Sequence, residues 1–220
     1  MYELFADRRA AGREVARRLG RYGDRADAVV LGLPRGGIPV AYEVALSLDA
    51  PLDAFVVRKL RVPWREELAM GALASGGACV LNSDVIDALA IDRRTIEEVT
   101  ARERRELRRR ERLYRGERGP IEVARRTAIV VDDGLATGAS MRAAVAALRE
   151  RRARAIVVAV PVGSPATCAQ LAGAADEVMC ATTPEPFVAV GVWYRDFSPT
   201  DDAEVRLLLE RSADHAAAAR

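Results

Sequence analysis

An α/β fold with a mostly parallel sheet and helices on both faces is what three features of this sequence predict. Short, nearly continuous apolar runs rich in β-branched residues recur at 28–33, 53–60, 127–131, 153–161 and 175–180. Stretches with helical spacing of apolar residues separate most of them, and the junctions carry glycine, proline or hydroxyl residues. Strands buried on both faces alternating with crossover helices read in this way. With 220 residues, half of them apolar, the chain can bury one substantial core. The expected organisation is a single domain over 1–220, with its core at about 28–180, an inserted hairpin and charged helix at 62–118, and a C-terminal segment at about 183–200.

Residues 2–19 read as a leading amphipathic helix with Asp7 as its cap. The strand at 28–33 runs into Pro34-Arg35-Gly36-Gly37, which opens a helix at 38–48. Paired glycines let peptide groups approach a ligand with no Cβ in the way, and an arginine there offers a planar fork for phosphate oxygens. The run 53–60 reads as one strand ending in Arg58 and Lys59, two cations at the sheet edge where open α/β folds bind ligands. Lys59 is the one lysine in a chain that otherwise uses arginine.

Residues 62–81 read as a loop and hairpin turning at Ser75-Gly76-Gly77, and Glu66 and Glu67 fall in it. A charged helix follows over 91–118, with a thin apolar stripe (Ile96, Val99, Leu107, Leu113, Tyr114) and Glu-to-Arg pairs four apart, Glu98 with Arg102 and Glu106 with Arg110. Its interleaved acids favour a solvated helix over a nucleic-acid arm.

The stretch 127–141 carries the most chemistry. The strand Ile129-Val130-Val131 ends in two adjacent carboxylates, Asp132 and Asp133, then in a small-residue turn and an alanine-rich helix at 139–149. Gly134 and Gly138 permit sharp turns. Thr137 and Ser140 offer hydroxyls, and Ala136, Thr137, Gly138, Ala139 and Ser140 offer backbone N–H groups at a helix N-terminus, where an anion is favoured. A Walker A loop would need Gly-Lys-Ser/Thr and a dinucleotide fingerprint G-x-G-x-x-G, and neither is present.

Farther on, 153–161 is a strongly apolar strand, Ser164 caps a helix at 165–172, and 175–180 is another strand. Residues 183–200 hold four of the eleven aromatics, Phe187, Trp193, Tyr194 and Phe197, and a last helix runs from Asp201 or Asp202 to Arg211 before an alanine tail expected to fray. Cys79, Cys168 and Cys180 form no C-x-x-C pair, so neither a disulfide framework nor a zinc site is expected. The formal charge of +2 sums 34 basic and 32 acidic residues and carries no general nucleic-acid signal. His215, the single histidine, lies in the tail, away from any catalytic pattern. No apolar run approaches a membrane span and the N-terminus has no signal-peptide pattern, so the expected location is the cytoplasm, with no membrane partner.

V-V-D-D-G-L-A-T-G-A-S resembles the phosphoribosyl-pyrophosphate (PRPP) signature of type I phosphoribosyltransferases. The resemblance implies that Asp132 and Asp133 face the ribose hydroxyls, directly or through hydrated Mg²⁺, and that 136–140 hold the 5-phosphate. It implies that Arg35, Gly36, Gly37, Arg58 and Lys59 hold pyrophosphate, with Asp132, Asp133 and Lys59 as the catalytic set. It further implies a mobile loop near 62–81 and homodimers. Phe187 and Trp193 would supply the hood over the acceptor base, or else seal the sheet edge. Ala136 stands where enzymes for 6-oxopurines carry an aspartate, so D-D-G-L-A-T-G is closer to the adenine type, and the nitrogenous acceptor is left unassigned. Two other readings stay open: a non-catalytic PRPP sensor on the same fold, binding RNA or protein through its charged helix, and an unrelated nucleotide-binding α/β module.

Overall fold

The computed structural model describes residues 4–218; the start of the expected first helix and the end of the tail lie outside them. In chain order the elements are α1 (Arg8–Arg18), β1 (Ala28–Gly32), α2 (Gly37–Leu48), β2 (Leu52–Ala54), β3 (Val57–Val62), β4 (Arg65–Ala74), β5 (Cys79–Leu81), α3 (Ser83–Ala88), α4 (Arg93–Arg115), β6 (Thr127–Val131), α5 (Ala139–Glu150), β7 (Ala155–Val162), α6 (Pro165–Ala172), β8 (Glu177–Thr182) and α7 (Asp202–Ala218). Five strands form a parallel sheet in the order β2-β1-β6-β7-β8, and β3, β4 and β5 form a separate antiparallel sheet.

Strand alternation explains how the parallel sheet is covered twice. Val30, Ile129, Val131, Val157 and Ala159 point to the face packed by α1, α2, α4 and α7. Their neighbours Val29, Leu31, Val130, Val158 and Val160 point to the face packed by α5 and α6. Every residue of β1 and β6 is buried, so their sequences are continuously apolar instead of alternating. Asp7 caps α1 by accepting from the Ala10 amide at 2.7 Å, and Ser164 caps α6 by accepting from Thr167 at 3.2 Å.

The strand expected over 53–60 is two strands in different sheets. The chain leaves the parallel sheet after Ala54, where the Phe55 amide still donates to Gly32 O at 2.9 Å and the Val56 amide donates to Ser75 Oγ at 2.9 Å. A-F-V-V is apolar throughout, so no residue signals that break. Arg58 and Lys59 therefore do not end a strand of the parallel sheet.

Three further expectations are corrected. Glu98 pairs back to Arg94 at 2.8 Å, not forward to Arg102, whereas Glu106 holds both Arg109 and Arg110. The last helix runs on to Ala218, in keeping with the high helix propensity of alanine. Cys168 and Cys180 pair as a disulfide, because α6 lies against β8 and brings together two residues twelve apart in the chain. The helix α3, capped by Asn82 through the Val85 amide, has too few residues to show a periodic pattern in the sequence. No helix among the described residues is long and apolar enough to cross a membrane.

Candidate functional site

The turns after β1 and β6 lie side by side at the C-terminal edge of the parallel sheet. The register pairs Gly32 with Val131, and the Leu33 amide donates to Val131 O at 2.9 Å. The P-R-G-G turn thus abuts the acidic turn. A methyl group on Gly36 would overlap the Asp133 carboxylate, and one on Gly37 would come within 2.8 Å of Val131 O. Arg35 is exposed, its carbonyl accepting from the Ile38 amide at 3.1 Å and its guanidinium without a hydrogen-bond or ion-pair partner among the described residues.

Asp132 Oδ1 accepts from the Asp133 amide at 2.9 Å. Burial and then the Asp133 charge push the Asp132 carboxyl well above the usual carboxylate range. Its neutral form is favoured by folding, so this group's share of stability is in place at acid pH and is lost as pH rises through the raised value. Asp132→Asn keeps an acceptor oxygen without the charge. It should be more stable than the parent at alkaline pH, with the gain fading in acid. Thermal melts across the pH range read this directly, and a gain independent of pH would contradict it.

Asp133 is held from two sides. Arg8 Nε donates to Asp133 Oδ2 at 2.9 Å while Arg8 Nη1 donates to Ser198 O at 2.7 Å, and the guanidinium lies 3.9 Å from the centroid of the Phe197 ring. The Tyr194 hydroxyl donates to Asp133 O at 2.6 Å. Burial, followed by the Asp133 charge, raises the Tyr194 phenol so that it stays a donor. The aromatic segment is pinned over this edge: the Phe5 amide donates to Trp193 O at 2.9 Å, and the Arg195 amide returns to Phe5 O at 2.8 Å.

The turn leading into α5 is built to face an anion. The Ala136 carbonyl accepts from Thr167 Oγ1 at 2.6 Å and the Thr137 carbonyl from Arg142 Nη1 at 2.8 Å, so both are occupied on the outer side. Among the described residues nothing accepts from the amides of 136–140. Gly138 has φ +66°, and a Cβ there would lie 2.5 Å from Thr167 Cγ2, so glycine is required on two grounds. Thr137 and Ser140 are exposed at the mouth.

Not every residue singled out from the sequence converges here. Alternation along β3 puts Arg58 and Lys59 on opposite faces. Arg58 is committed to Glu103 of α4, with Nε at 2.9 Å and Nη2 at 2.6 Å. Lys59 faces a cleft of about 490 Å³ that it shares with Glu66, Glu67, Ala139 and Arg142, which leaves it within the neighbourhood of the anion turn. Phe187 and Trp193 pack with Phe5, Val190 and Phe197 around Ala11, Val162 and Tyr194. Tyr194 and Phe197, expected only as members of the aromatic segment, and Arg8, which no pattern marks, touch Asp133 or its partner. Arg8 lies 125 residues before Asp133 in a chain full of arginines, and no spacing points to it.

Among the described residues no group of three or more His, Cys, Asp or Glu side chains forms a metal cage. Asp132 and Asp133 can offer two carboxylates. That suits a Mg²⁺ that keeps several waters and takes its remaining oxygens from a phosphorylated substrate.

Paired carboxylates thus lie beside a turn with free amides at the carboxyl edge of a parallel sheet, the edge where open α/β folds bind their ligands. Residues 3–192 match the model of the phosphoribosyl transferase domain, and the chain belongs to that family of transferases. It is 48% identical over 210 residues to two Mycobacterium tuberculosis proteins, from strains H37Rv and CDC 1551, each named Putative phosphoribosyl transferase. That match takes in 96% of this chain and 47% of theirs, so the chain spans about half the length of these curated relatives. Among solved structures it is similar to the protein TT1426 from Thermus thermophilus, with 41% identity, a TM-score of 0.85, and coverage of 94% of this chain and 98% of that one.

Proposed function

We propose that the chain, acting as one unit with its core at about 28–180, moves the ribose 5-phosphate of PRPP to a nitrogenous acceptor and releases pyrophosphate. The observation that supports this most directly is the contact between the Gly36-Gly37 turn and Asp133, which brings three groups suited to three parts of one substrate onto one edge. In the reaction the anomeric C–O bond breaks, pyrophosphate leaves with the electron pair, and a nitrogen lone pair of the acceptor closes on the anomeric carbon. The sugar passes through an oxocarbenium-like state, which negative charge near the ring and positive charge on the leaving group both favour.

Asp132 and Asp133 orient the ribose hydroxyls, and the amides of 136–140 with Thr137 and Ser140 anchor the 5-phosphate. Arg35 and the Gly36 and Gly37 amides hold pyrophosphate, with Lys59 reaching in from the neighbouring cleft. Mg²⁺, when bound, would neutralise the diphosphate and rest on the acidic pair. Arg8 already occupies one Asp133 oxygen, so it competes with any cation for that carboxylate. Tyr194 and Phe197 border the edge where a planar acceptor would lie, and Phe187 and Trp193 support them from behind. A cytoplasmic location and a homodimer go with this reading.

The test is incubation with PRPP, Mg²⁺ and a panel of nitrogenous bases, following pyrophosphate release. Turnover with at least one base supports the enzyme. PRPP binding without release across the panel would make the chain a sensor on the same fold. Asp133→Asn should weaken PRPP binding by roughly tenfold or more through loss of a charge-assisted contact, and unchanged affinity would remove Asp133 from its assigned role.

A further inference from the structure

We propose a second anion site, for a compact oligophosphate, in the cleft between α4 and the β4–β5 turn. The cleft measures about 420 Å³ and is lined by Arg104, Arg108, Arg112, Arg115 and Arg118 against a single acid, Glu111. It contains no residue of the acidic turn, the P-R-G-G turn or the turn before α5, so it is separate from the site described above.

The charge in it is largely uncompensated. Glu111 is already bound to Arg115 at 2.9 Å, and Arg115 is also bound to Asp53. Arg104, Arg108 and Arg112 repeat every four residues and so form one ridge along three turns of the helix. None of the three has an acidic partner within ion-pair distance among the described residues. Elsewhere on the same helix most arginines are matched, Arg93 with Glu97, Arg94 with Glu98, Arg102 with Glu103, and Arg109 and Arg110 with Glu106, and Arg105 is the exception. Apart from Glu111, which is taken up by Arg115, the acids of α4 thus pair away from this ridge.

The opposite wall is made for a close approach. Gly76 and Gly77 have φ +83° and +88°, and a Cβ on Gly77 would meet nothing within 4 Å, so this side of the cleft carries no side-chain bulk, while the Gly77 amide itself donates to Ala74 O at 3.1 Å. Behind Gly76 sits Arg151, whose guanidinium donates to Ser75 O at 3.2 Å and has Glu122 as an acidic partner at 3.9 Å.

Guanidinium forks on one side and an unencumbered glycine turn on the other leave room and donors for phosphate oxygens, the donors coming from the arginines. The volume is that of a small-molecule site. No aromatic side chain lines the cleft, whereas single-stranded nucleic acid is ordinarily held by ring stacking as well as charge. The geometry therefore points to a chain of a few phosphates, free or carried on a nucleotide.

Inorganic tripolyphosphate is the probe, titrated calorimetrically into the full chain at physiological salt, with PRPP at saturation to fill the turn before α5. The variant Arg104→Gln/Arg108→Gln/Arg112→Gln changes only exposed positions and keeps helix propensity. It should weaken binding by about tenfold or more. The control Arg93→Gln/Arg94→Gln/Arg102→Gln removes the same charge from the matched positions and should change affinity less than about twofold. Equal losses in both variants would reduce the effect to net charge, and no loss in either would place the anion elsewhere; each outcome overturns the site. A single-stranded oligonucleotide that displaces tripolyphosphate and binds the same three arginines far more tightly would overturn the small-ligand assignment.

Discussion

Gly36→Ala is expected to slow pyrophosphate release by roughly 100-fold and to leave the melting temperature within about 2 °C of the parent. The backbone at Gly36 is helical, with φ −59° and ψ −29°, so alanine fits the conformation. What its methyl group meets is side chain and not backbone: it overlaps the Asp133 carboxylate oxygen, lies 2.7 Å from Asp133 Cγ and 3.1 Å from Arg8 Nε. Those side chains can rotate aside, so the fold survives while the acidic pair leaves its position. Gly37→Ala is the informative comparison. Its methyl would meet Val131 O at 2.8 Å and Asp132 Cα at 2.9 Å, backbone atoms that cannot move without disturbing β6. That variant should lose stability along with activity. Thermal melts beside turnover separate the two, and a Gly36→Ala protein with parental turnover would show that the position of Asp133 does not matter to the reaction.

Arg115→Ala should cost about 3–5 kcal/mol of folding stability, seen as a fall of roughly 10 °C in melting temperature. Both partners are buried, with side chains 7% and 8% exposed, and Arg115 Nε reaches the two Asp53 carboxylate oxygens at 2.8 and 2.9 Å. Arg115 Nη2 also donates to Ala54 O at 2.8 Å. Asp53 further accepts from the Ile121 amide at 3.1 Å, so removing the guanidinium strands a carboxylate already fixed in the interior. The pair joins α4 to β2, the strand beside β1, and thereby holds the charged helix against the sheet that carries the P-R-G-G turn. Replacing both charges, Arg115→Met with Asp53→Leu, should recover most of the loss, because the penalty comes from the unpaired charge and not from a net gain in the pair. Denaturant titration of the three variants checks this. A single variant within about 1 kcal/mol of the parent would mean that water reaches Asp53 and no buried charge is stranded.

How much could be read in advance follows from the range of the interactions. The strands β1, β6, β7 and β8, the helices between them and the caps Asp7 and Ser164 follow from neighbours a few residues apart, and so does the glycine and hydroxyl chemistry of the two turns. Each depends on contacts within one turn or one strand, which sequence spacing records directly. The register that seats Gly36 against Asp133 is not written in either segment, because it arises when two strands 99 residues apart pair in parallel at Gly32 and Val131. The same holds for Arg8 on Asp133, for Tyr194 over the turn and for the separation of Arg58 from Lys59 on the two faces of β3. In those cases residue types chosen for solubility, packing or charge acquire their roles from partners that only chain folding brings near. Local chemistry therefore set which stretches turn at the carboxyl edge of the sheet, and long-range packing selected which side chains stand there and which were diverted into ion pairs of their own.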